Sequence, residues 1–408
     1  MTRFFSYMQI ILYSLWKRWT KPHHWDKSKK ILVIMNNPGV GDAICALDSF
    51  YNIALHTKNT YELYIATSAP IINFLKETQS TFGAHFITLD LSKETKFKVD
   101  DFKQNYHHLD ICHWHYIISL NRIGIHMKLL LMGCRYDKML GMEFFEQKIN
   151  ILEYFLFRQI DNYGCMYFHY SMHTMLSNAE ISSQALHELV DSNRNIKYQF
   201  YHIPRLAVNP LAQLNGKYCI ICPSIAIQKD RPYQYRKWPI NRFVEIVDFI
   251  LDSSDLSICL SGVKSDQADN EYLEAHVKDP SRIINMTGKT TFKEWIELIR
   301  GADFVLGNDS GYIHLASYLG VQAFAIAGYW NYGRFLPYPP KQIHGRITPI
   351  DIRIPRVSCE GCNWHRKMDF ARKQCDQLVK ERGVYKCIWD INGEMVKKVL
   401  AQHLHMHK

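Results

Sequence analysis

Short apolar runs rich in β-branched residues alternate with segments of helical periodicity along the first half of the chain. The predicted strands are 31–36, 61–67, 84–89 and 116–120, and the predicted helices are 42–56, 70–78 and 123–133. Strands and helices of these lengths in alternation indicate βαβ units, and therefore a parallel sheet covered by helices. Residues 140–200 are rich in Phe, Tyr and Met, and we expect them to be helical in character.

The alternation stops at 201–218, where two prolines and a glycine leave no clear periodicity, and we interpret this segment as a linker. The same pattern then restarts and continues to about residue 328, which predicts a second α/β domain. A chain of 408 residues is longer than one hydrophobic core normally organises, which also favours two domains. Two such domains commonly face each other across a cleft, because ligands bind at the carboxyl ends of parallel strands.

The net charge of +10 indicates an anionic partner, such as nucleic acid, a phosphorylated substrate or a membrane surface. Residues 1–30 contain seven basic residues and one acidic residue, so six of the ten charges lie there. The apolar run from Phe4 to Trp16 is too short to span a bilayer and lacks a signal-peptide cleavage site. With Trp19 and Trp25 beside lysines, it is typical of a helix in the membrane interface; packing on its own domain or on another subunit is the alternative.

The eleven cysteines fall into two groups. Seven lie mostly in apolar runs, as buried free thiols do, which indicates an intracellular protein. The other four form a C-x2-C-x12-C-x11-C array that fits a tetrahedral structural metal site: Cys359, Cys362, Cys375 and Cys387. Zinc is the default metal and iron the other candidate, while free thiols and disulfides remain open as alternatives. We expect no metal site at His113 and His115, because alternating side chains point to opposite faces of a strand.

The segment LGNDSGYIHLASYLGVQAFAIAG, 306–328, carries the first candidate site. A strand ends at Gly307, a polar turn follows, and a helix begins directly after Ser310 and Gly311. The free N–H groups of a helix's first turn, with the helix dipole, bind anions, and these small residues let a diphosphate come close. Asp309 would repel phosphate, so we expect it to accept hydrogen bonds from sugar hydroxyls. An N-cap without a ligand is the alternative.

Two further stretches follow predicted strands. In CPSIAIQKDRPYQYRKWP, 222–239, Ser224 lies at the strand end, and Arg236 and Lys237 precede a helix, as suits phosphate recognition. In IMNNPGVGDAIC, 34–45, Asp42 begins a helix after two glycines. This carboxylate either gains from the helix dipole alone or, if it faces the cleft, takes a proton from an attacking hydroxyl.

In this order and spacing, GVGDAICAL, RKWP and GNDSGYIHLAS resemble glycosyltransferase family nine, the heptosyltransferases of bacterial lipopolysaccharide, over about 30–335. The resemblance implies a GT-B fold, with two Rossmann-like domains facing across a cleft. It also implies a sugar-nucleotide donor, usually ADP-heptose, in the C-terminal domain and an acceptor in the N-terminal one. The anomeric carbon would be inverted, and no catalytic metal would be needed.

The resemblance also assigns roles to single residues. It makes Asp42 the catalytic base, with Gly39 and Gly41 on the acceptor side. It implies that the donor is held by Arg236, Lys289, Thr290, Asp309, Ser310, Gly311 and His314. From their place at the strand end and in the basic loop, Ser224 and Lys237 are added to the predicted donor-binding residues. Two positions depart from the family pattern, since Asn36 replaces a usual Lys or Arg and Asp48 a usual Pro. The first departure removes a cation beside the proposed base.

We therefore predict an inverting glycosyltransferase that moves heptose from ADP-heptose to a lipopolysaccharide core or a protein. The four-cysteine array resembles the C-terminal iron finger of autotransporter heptosyltransferases. The alternatives are transfer of another sugar and nucleotide-sugar binding without catalysis. We predict a cytoplasmic location, peripheral contact with the inner membrane, homo-oligomers among the partners, and no nucleic acid partner. The predicted divisions are a basic amphipathic segment, an acceptor domain, a donor domain, and a cysteine element with a final helix: 1–27, 28–205, 206–350 and 351–408.

Overall fold

The computed structural model divides the chain into two compact units, Met1–Tyr201 and His202–Lys408. The structure describes residues 2–20, 29–36, 39–89, 99–122, 125–144, 163–169, 172–190, 196–208, 216–225, 236–339, 346–355, 378–379 and 384–406. Each unit contains one six-stranded parallel sheet, so the predicted α/β class with two Rossmann-like sheets is confirmed.

The first unit has the sheet order β3-β2-β1-β4-β5-β6, in which β1 and β4 are central. Its strands are β1 (Lys30–Ile34), β2 (Glu62–Thr67), β3 (His85–Thr88), β4 (His113–Arg122), β5 (Arg135–Phe144) and β6 (Tyr163–Phe168). Its helices are α1 (Thr2–Thr20), α2 (Val40–Thr57), α3 (Ala69–Glu77), α4 (Val99–Leu109), α5 (Ile125–Gly133) and α6 (Thr174–Leu189). Four of the five β1 residues are fully buried, as expected for a strand covered by helices on both faces.

The expectation that 140–200 is helical throughout is wrong. Strand β5 continues to Phe144, and β6 lies parallel to it with Met142 opposite Met166. The aromatic and Met side chains of this region also suit a strand, so composition could not distinguish the two. Helix α6 is the helical part of the region that the structure describes, and it packs on α2.

Helix α1 packs on the first unit, chiefly against α5 and α4. Ile10 and Ser14 are completely buried at this contact. The Tyr13 ring meets the Tyr106 ring edge-on at a centroid distance of 5.5 Å. Within the described residues, no helix combines the length and the apolar character that crossing a membrane requires.

The second unit has the sheet order β12-β11-β10-β7-β8-β9. Its strands are β7 (Tyr218–Cys222), β8 (Ser257–Leu260), β9 (Ile283–Asn285), β10 (Phe304–Asn308), β11 (Gln322–Ile326) and β12 (Ile350–Ile352), and the short antiparallel pair is β13 (Leu378–Val379) and β14 (Val384–Tyr385). Its helices are α7 (Ile240–Ser253), α8 (Gln267–His276), α9 (Phe292–Arg300), α10 (Gly311–Tyr318), α11 (Lys386–Trp389) and α12 (Gly393–Met406). The final helix belongs to this unit's core through Val396, Leu400 and Leu404.

Three members of the cysteine array, Cys359, Cys362 and Cys375, lie outside the described residues. Cys387 is described, half-buried in α11, and packs against the core of the second unit. A Cβ built on Gly328 would lie 2.9 Å from its Sγ, so this thiol lies beside the carboxyl end of β11. The metal-binding element therefore remains a prediction.

Candidate functional site

The two donor-side motifs of the sequence lie next to each other in the second unit. Strands β7 and β10 are neighbours in the sheet, with Gly307 opposite Cys222, so their carboxyl ends lie at the same edge. A Cβ on Gly307 would come within 2.6 Å of the Cys222 carbonyl oxygen, so only glycine permits this approach. Ligands of open parallel sheets bind at this edge.

Asn308 joins the two motifs directly. This fully buried residue donates from Nδ2 to the Pro223 carbonyl at 2.6 Å and accepts at Oδ1 from the Trp238 N–H at 2.9 Å. Pro223 precedes Ser224, and Trp238 follows Arg236 and Lys237, so one amide positions both segments relative to α10. The sequence motif contains Asn308, but nothing in the sequence indicated that it joins these segments.

Ser310 is the N-cap residue of α10, yet its side chain does not cap the helix. Its Oγ is buried and has no hydrogen-bond partner among the described residues, so the alternative of an ordinary Ser cap is not what the structure shows. An unpaired buried hydroxyl is costly unless a ligand satisfies it. With the free N–H groups of Gly311 and Tyr312, it gives this helix end the donors that an anion requires.

Asp309 and His314 form a pair within the same motif. His314 Nε2 lies 3.7 Å from Asp309 Oδ1, and its Nδ1 lies 2.7 Å from the Tyr338 hydroxyl. Burial lowers the pKa of His314 below its ordinary 6.5, although Asp309 acts in the opposite direction. The imidazole is therefore neutral near pH 7 and lies beside the Asp309 carboxylate without forming a full ion pair.

The cations Lys237 and Arg236 differ in whether a carboxylate pairs with them. Lys237 Nζ pairs with Asp269 on α8, and Ser224 Oγ donates to the other oxygen of that carboxylate at 2.5 Å. Arg236 is half-buried, and its side chain forms no ion pair with the described residues. Of the two, Arg236 is thus the cation not already neutralised. The sequence analysis missed Asp269, because no motif spacing connects it with Ser224.

Lys289 and Thr290 lie beyond the carboxyl end of β9. Lys289 is exposed and donates from Nζ to the Asn285 carbonyl at 2.7 Å. The Gly288 N–H donates to the Gly262 carbonyl at 2.8 Å, which ties this turn to the end of β8. Lys289 and Thr290 therefore lie at the same edge of the sheet as Ser310, and strands β7 and β8 lie between them and Ser310.

In the first unit, the turn between β1 and α2 places Asp42 at the start of α2. Gly39 is the N-cap residue, and a Cβ there would lie 2.8 Å from Asp42 Oδ2. A side chain at Gly39 would therefore displace the Asp42 carboxylate from this position. Asp42 lies in the first turn of α2, where the helix dipole favours its charged form, and Gly41 precedes it in that turn.

Asn36, which replaces the usual family cation, is held by the end of β4. Its N–H donates to Asn121 Oδ1 at 3.1 Å, and its Nδ2 donates to the Arg122 carbonyl at 3.3 Å. Arg122 Nε lies 3.1 Å from Glu143, which also pairs with Lys128. Lys128 and Glu143 are buried, whereas 28% of the Arg122 side chain is exposed. Arg122 therefore places a partly exposed cation at the strand end beside Asn36.

Asp48, the second departure, has a structural role. Its Oδ1 accepts a hydrogen bond from the Tyr201 N–H at 2.9 Å. One turn along α2, Asn52 Oδ1 accepts from the Gln199 N–H, also at 2.9 Å. Asp48 therefore helps to fasten segment 199–201 to α2.

The prediction that the His113 and His115 side chains point to opposite faces of their strand is wrong. Residues two apart on a strand share a face, and both rings contact Asp137, at 2.7 Å from Oδ1 and 2.9 Å from Oδ2. Within the described part of the chain, no group of three His, Cys, Asp or Glu residues is arranged to hold a metal ion.

Comparison with known proteins points to one family. The model of "Glycosyltransferase family 9 (heptosyltransferase)" matches residues 154–350, which excludes the Asp42 turn. Lipooligosaccharide heptosyltransferase 2 of Haemophilus ducreyi is 28% identical over 86 residues, which are 21% of this chain and 24% of that protein. The chain thus matches about a quarter of the length of this relative.

Two solved structures share the fold. The E. coli ADP-heptose lps heptosyltransferase II superposes with a TM-score of 0.58 at 16% identity, covering 93% of this chain and 99% of that chain. The iron-containing dodecameric glycosyltransferase TibC from enterotoxigenic E. coli H10407 has a TM-score of 0.51 at 13% identity, covering 93% and 77% of the two chains. The family match and the sequence relative together show that residues 154–350 resemble the heptosyltransferases of glycosyltransferase family 9.

Proposed function

We propose that the protein is an inverting glycosyltransferase that moves heptose from ADP-heptose to a hydroxyl of a bacterial surface glycoconjugate. The match of residues 154–350 to the family model supports glycosyl transfer, and ADP-heptose is named for the heptosyltransferase II structure that shares the fold. The observation that carries the proposal is the unpaired, buried Ser310 hydroxyl at the N-terminus of α10. A donor diphosphate is an anion that would satisfy it.

On the donor side, the α10 N–H groups, the Ser310 hydroxyl and Arg236 stabilise the diphosphate as negative charge develops on it. Hydrogen bonds to a charged acceptor are stronger than neutral ones, and donors fixed in advance are most useful in the transition state. Asp309, oriented by His314, accepts hydrogen bonds from the sugar hydroxyls. Lys237 is held by Asp269 near Ser224 and supports the same edge of the sheet.

On the acceptor side, Asp42 is the general base. The acceptor oxygen attacks the anomeric carbon from the face opposite the diphosphate, and its proton passes to the Asp42 carboxylate. The bond between the anomeric carbon and the phosphate oxygen breaks, and its electron pair leaves with ADP. A positioned carboxylate of this kind typically contributes about a hundredfold to ten-thousandfold in rate.

Arg122 takes over the acceptor-side charge that Asn36 lacks. Its carbonyl accepts a hydrogen bond from Asn36, and 28% of its side chain is exposed. Such a cation suits an acceptor with a phosphate or carboxylate group. Arg122→Gln should raise KM for lipopolysaccharide from a heptose-deficient strain while ADP-heptose affinity is unchanged. The exposed Lys58→Gln of the same unit is the control. An unchanged acceptor KM would exclude this role.

A structural metal at Cys359, Cys362, Cys375 and Cys387 belongs to the same proposal. TibC is described as iron-containing, and the half-buried thiol of Cys387 beside Gly328 provides a soft ligand at the surface of the second unit's core. Zinc or iron bound there would cross-link the chain before α12. A homo-oligomer is likewise proposed, because TibC is described as dodecameric.

Nucleotide-sugar binding without transfer is the second candidate, and the loss of a family cation at Asn36 favours it. Binding alone is tested by calorimetric titration with ADP-heptose, ADP and UDP-glucose. We expect ADP-heptose and ADP to bind and UDP-glucose to bind much more weakly. Equal affinity for all three, or none, would contradict the proposed donor. A turnover assay with an acceptor then distinguishes a transferase from a protein that only binds the donor.

A further inference from the structure

Helix α1 presents an aromatic face to solvent, formed by Met8, Leu12, Trp16 and Trp19. Their exposed fractions are 40%, 58%, 53% and 79%, so the face is more open towards the C-terminal end of the helix. The spacings of four, four and three residues place all four side chains on one side of an α-helix. Of the ten large apolar residues exposed in the described part of the chain, four belong to this face.

The opposite side of α1 fixes the helix to the first unit. Ile10 and Ser14 are fully buried there, and the Tyr13 ring packs edge-on against Phe102 and Tyr106, at centroid distances of 6.3 and 5.5 Å. The helix therefore cannot turn its aromatic face inward without breaking this contact. Exposed Trp side chains on a fixed helix indicate a surface that contacts something else.

Three basic side chains lie on this helix or next to it. Lys17 Nζ lies 5.1 Å from the centre of the Trp16 ring, and Lys103 Nζ of α4 lies 5.7 Å from that of Tyr13. Arg18 follows in the last turn, and residues 1–30 have seven basic residues against one acidic residue. Tryptophan beside lysine and arginine is the combination that favours the boundary between anionic headgroups and acyl chains.

We propose that the aromatic face of α1 docks the protein on the surface of a bilayer that contains anionic phospholipid. The helix lies parallel to the surface, with Trp16 and Trp19 in the headgroup region and the cations beside lipid phosphates. A second copy of the chain fits this face less well, because two segments of charge +6 would repel each other. Docking does not depend on the proposed transferase activity, although it would bring the enzyme to a glycolipid acceptor.

The test uses the full chain and sedimentation with vesicles of phosphatidylcholine, with and without phosphatidylglycerol. We expect binding to the anionic vesicles and little to the neutral ones. Trp16→Ser/Trp19→Ser should reduce the partition coefficient by roughly tenfold or more, because most of the inserted apolar surface is lost. Lys17→Gln/Arg18→Gln should reduce it by about fivefold for each cation removed.

Ile111→Ser is the matched control for Leu12→Ser, because both residues are exposed in the first unit, at 49% and 58%. Only Leu12→Ser should weaken vesicle binding, and all variants should keep the melting temperature of the unmodified protein. Wild-type protein that ignores anionic vesicles, or Trp variants that bind like wild type, would overturn the proposal. A wild-type oligomer that the Trp variants break, with no vesicle binding, would show that the face holds a second copy instead.

Discussion

The Asn308 amide oxygen accepts a hydrogen bond from the Trp238 backbone N–H at 2.9 Å, which joins the end of β10 to the segment before α7. In the sequence these residues lie 70 positions apart. The bond fixes the segment that carries Arg236 relative to the N-terminus of α10, as the proposed donor site requires.

Replacing Asn308 should therefore affect both folding and donor binding. Asn308→Ala would leave the buried Trp238 N–H and the Pro223 carbonyl unpaired, at a cost of about 1–3 kcal/mol for each unsatisfied group. We expect a lower midpoint in urea unfolding and weaker ADP-heptose binding by the folded fraction. Asn241→Ala, an exposed position in α7, is the control and should change neither. Wild-type stability of Asn308→Ala would contradict the positioning role.

Ser310 and Arg236 should act on the donor alone. Ser310→Ala removes a hydroxyl that bonds to no other residue in the described part of the chain, so it should weaken ADP-heptose binding without lowering stability. Arg236→Gln should weaken it by roughly tenfold to a hundredfold, as expected for a hydrogen bond to a charged group. Titration calorimetry measures both, with the exposed Lys278→Gln as control. If Ser310→Ala and Arg236→Gln both bind ADP-heptose as tightly as the wild type and the control do, the diphosphate binds elsewhere.

The sequence predicted the site best where one segment contains all the chemistry. The turn from Gly307 to Gly311 is local, so a strand, polar residues and a helix in succession were enough to predict the turn and the helix that begins there. Asp269 and Arg122 were missed because their relevance depends on which strand ends and helices become neighbours. Residues 140–200 were assigned to helix because Phe, Tyr and Met suit a buried strand as well as a buried helix. The His113 and His115 error came from the period of a strand, in which every second side chain shares a face.

Acidification should weaken the site through His314. Burial lowers the pKa of this side chain in the folded protein below the 6.5 of an unfolded chain. At a pH between these two pKa values, the unfolded state binds more protons at this side chain than the folded state does. The contribution of His314 to the free energy of unfolding is therefore fully present above about pH 6.5 and falls as the pH decreases. His314→Gln should reduce this part of the pH dependence of the melting temperature. The same slope in wild type and variant would assign the effect to other groups.

Metal content tests the cysteine array. We expect purified protein to hold about one equivalent of zinc or iron by elemental analysis, because four thiolates fill a tetrahedral site. Cys375→Ser, or removal of the metal by a chelator, should lower the melting temperature, while the folded fraction keeps its donor affinity. Metal-free protein with four alkylatable thiols and unchanged stability would support free cysteines instead.

Transfer by this protein can be measured as ADP release from ADP-heptose, with and without lipopolysaccharide from a heptose-deficient strain. We expect wild-type protein to release ADP faster when the acceptor is present. Asp42→Asn should bind the donor with wild-type affinity and release ADP at least about a hundredfold more slowly, because the lost base acts on the acceptor. Acceptor-dependent ADP release by Asp42→Asn within about threefold of the wild-type rate, far smaller than the loss of a general base would cause, would contradict this role of Asp42.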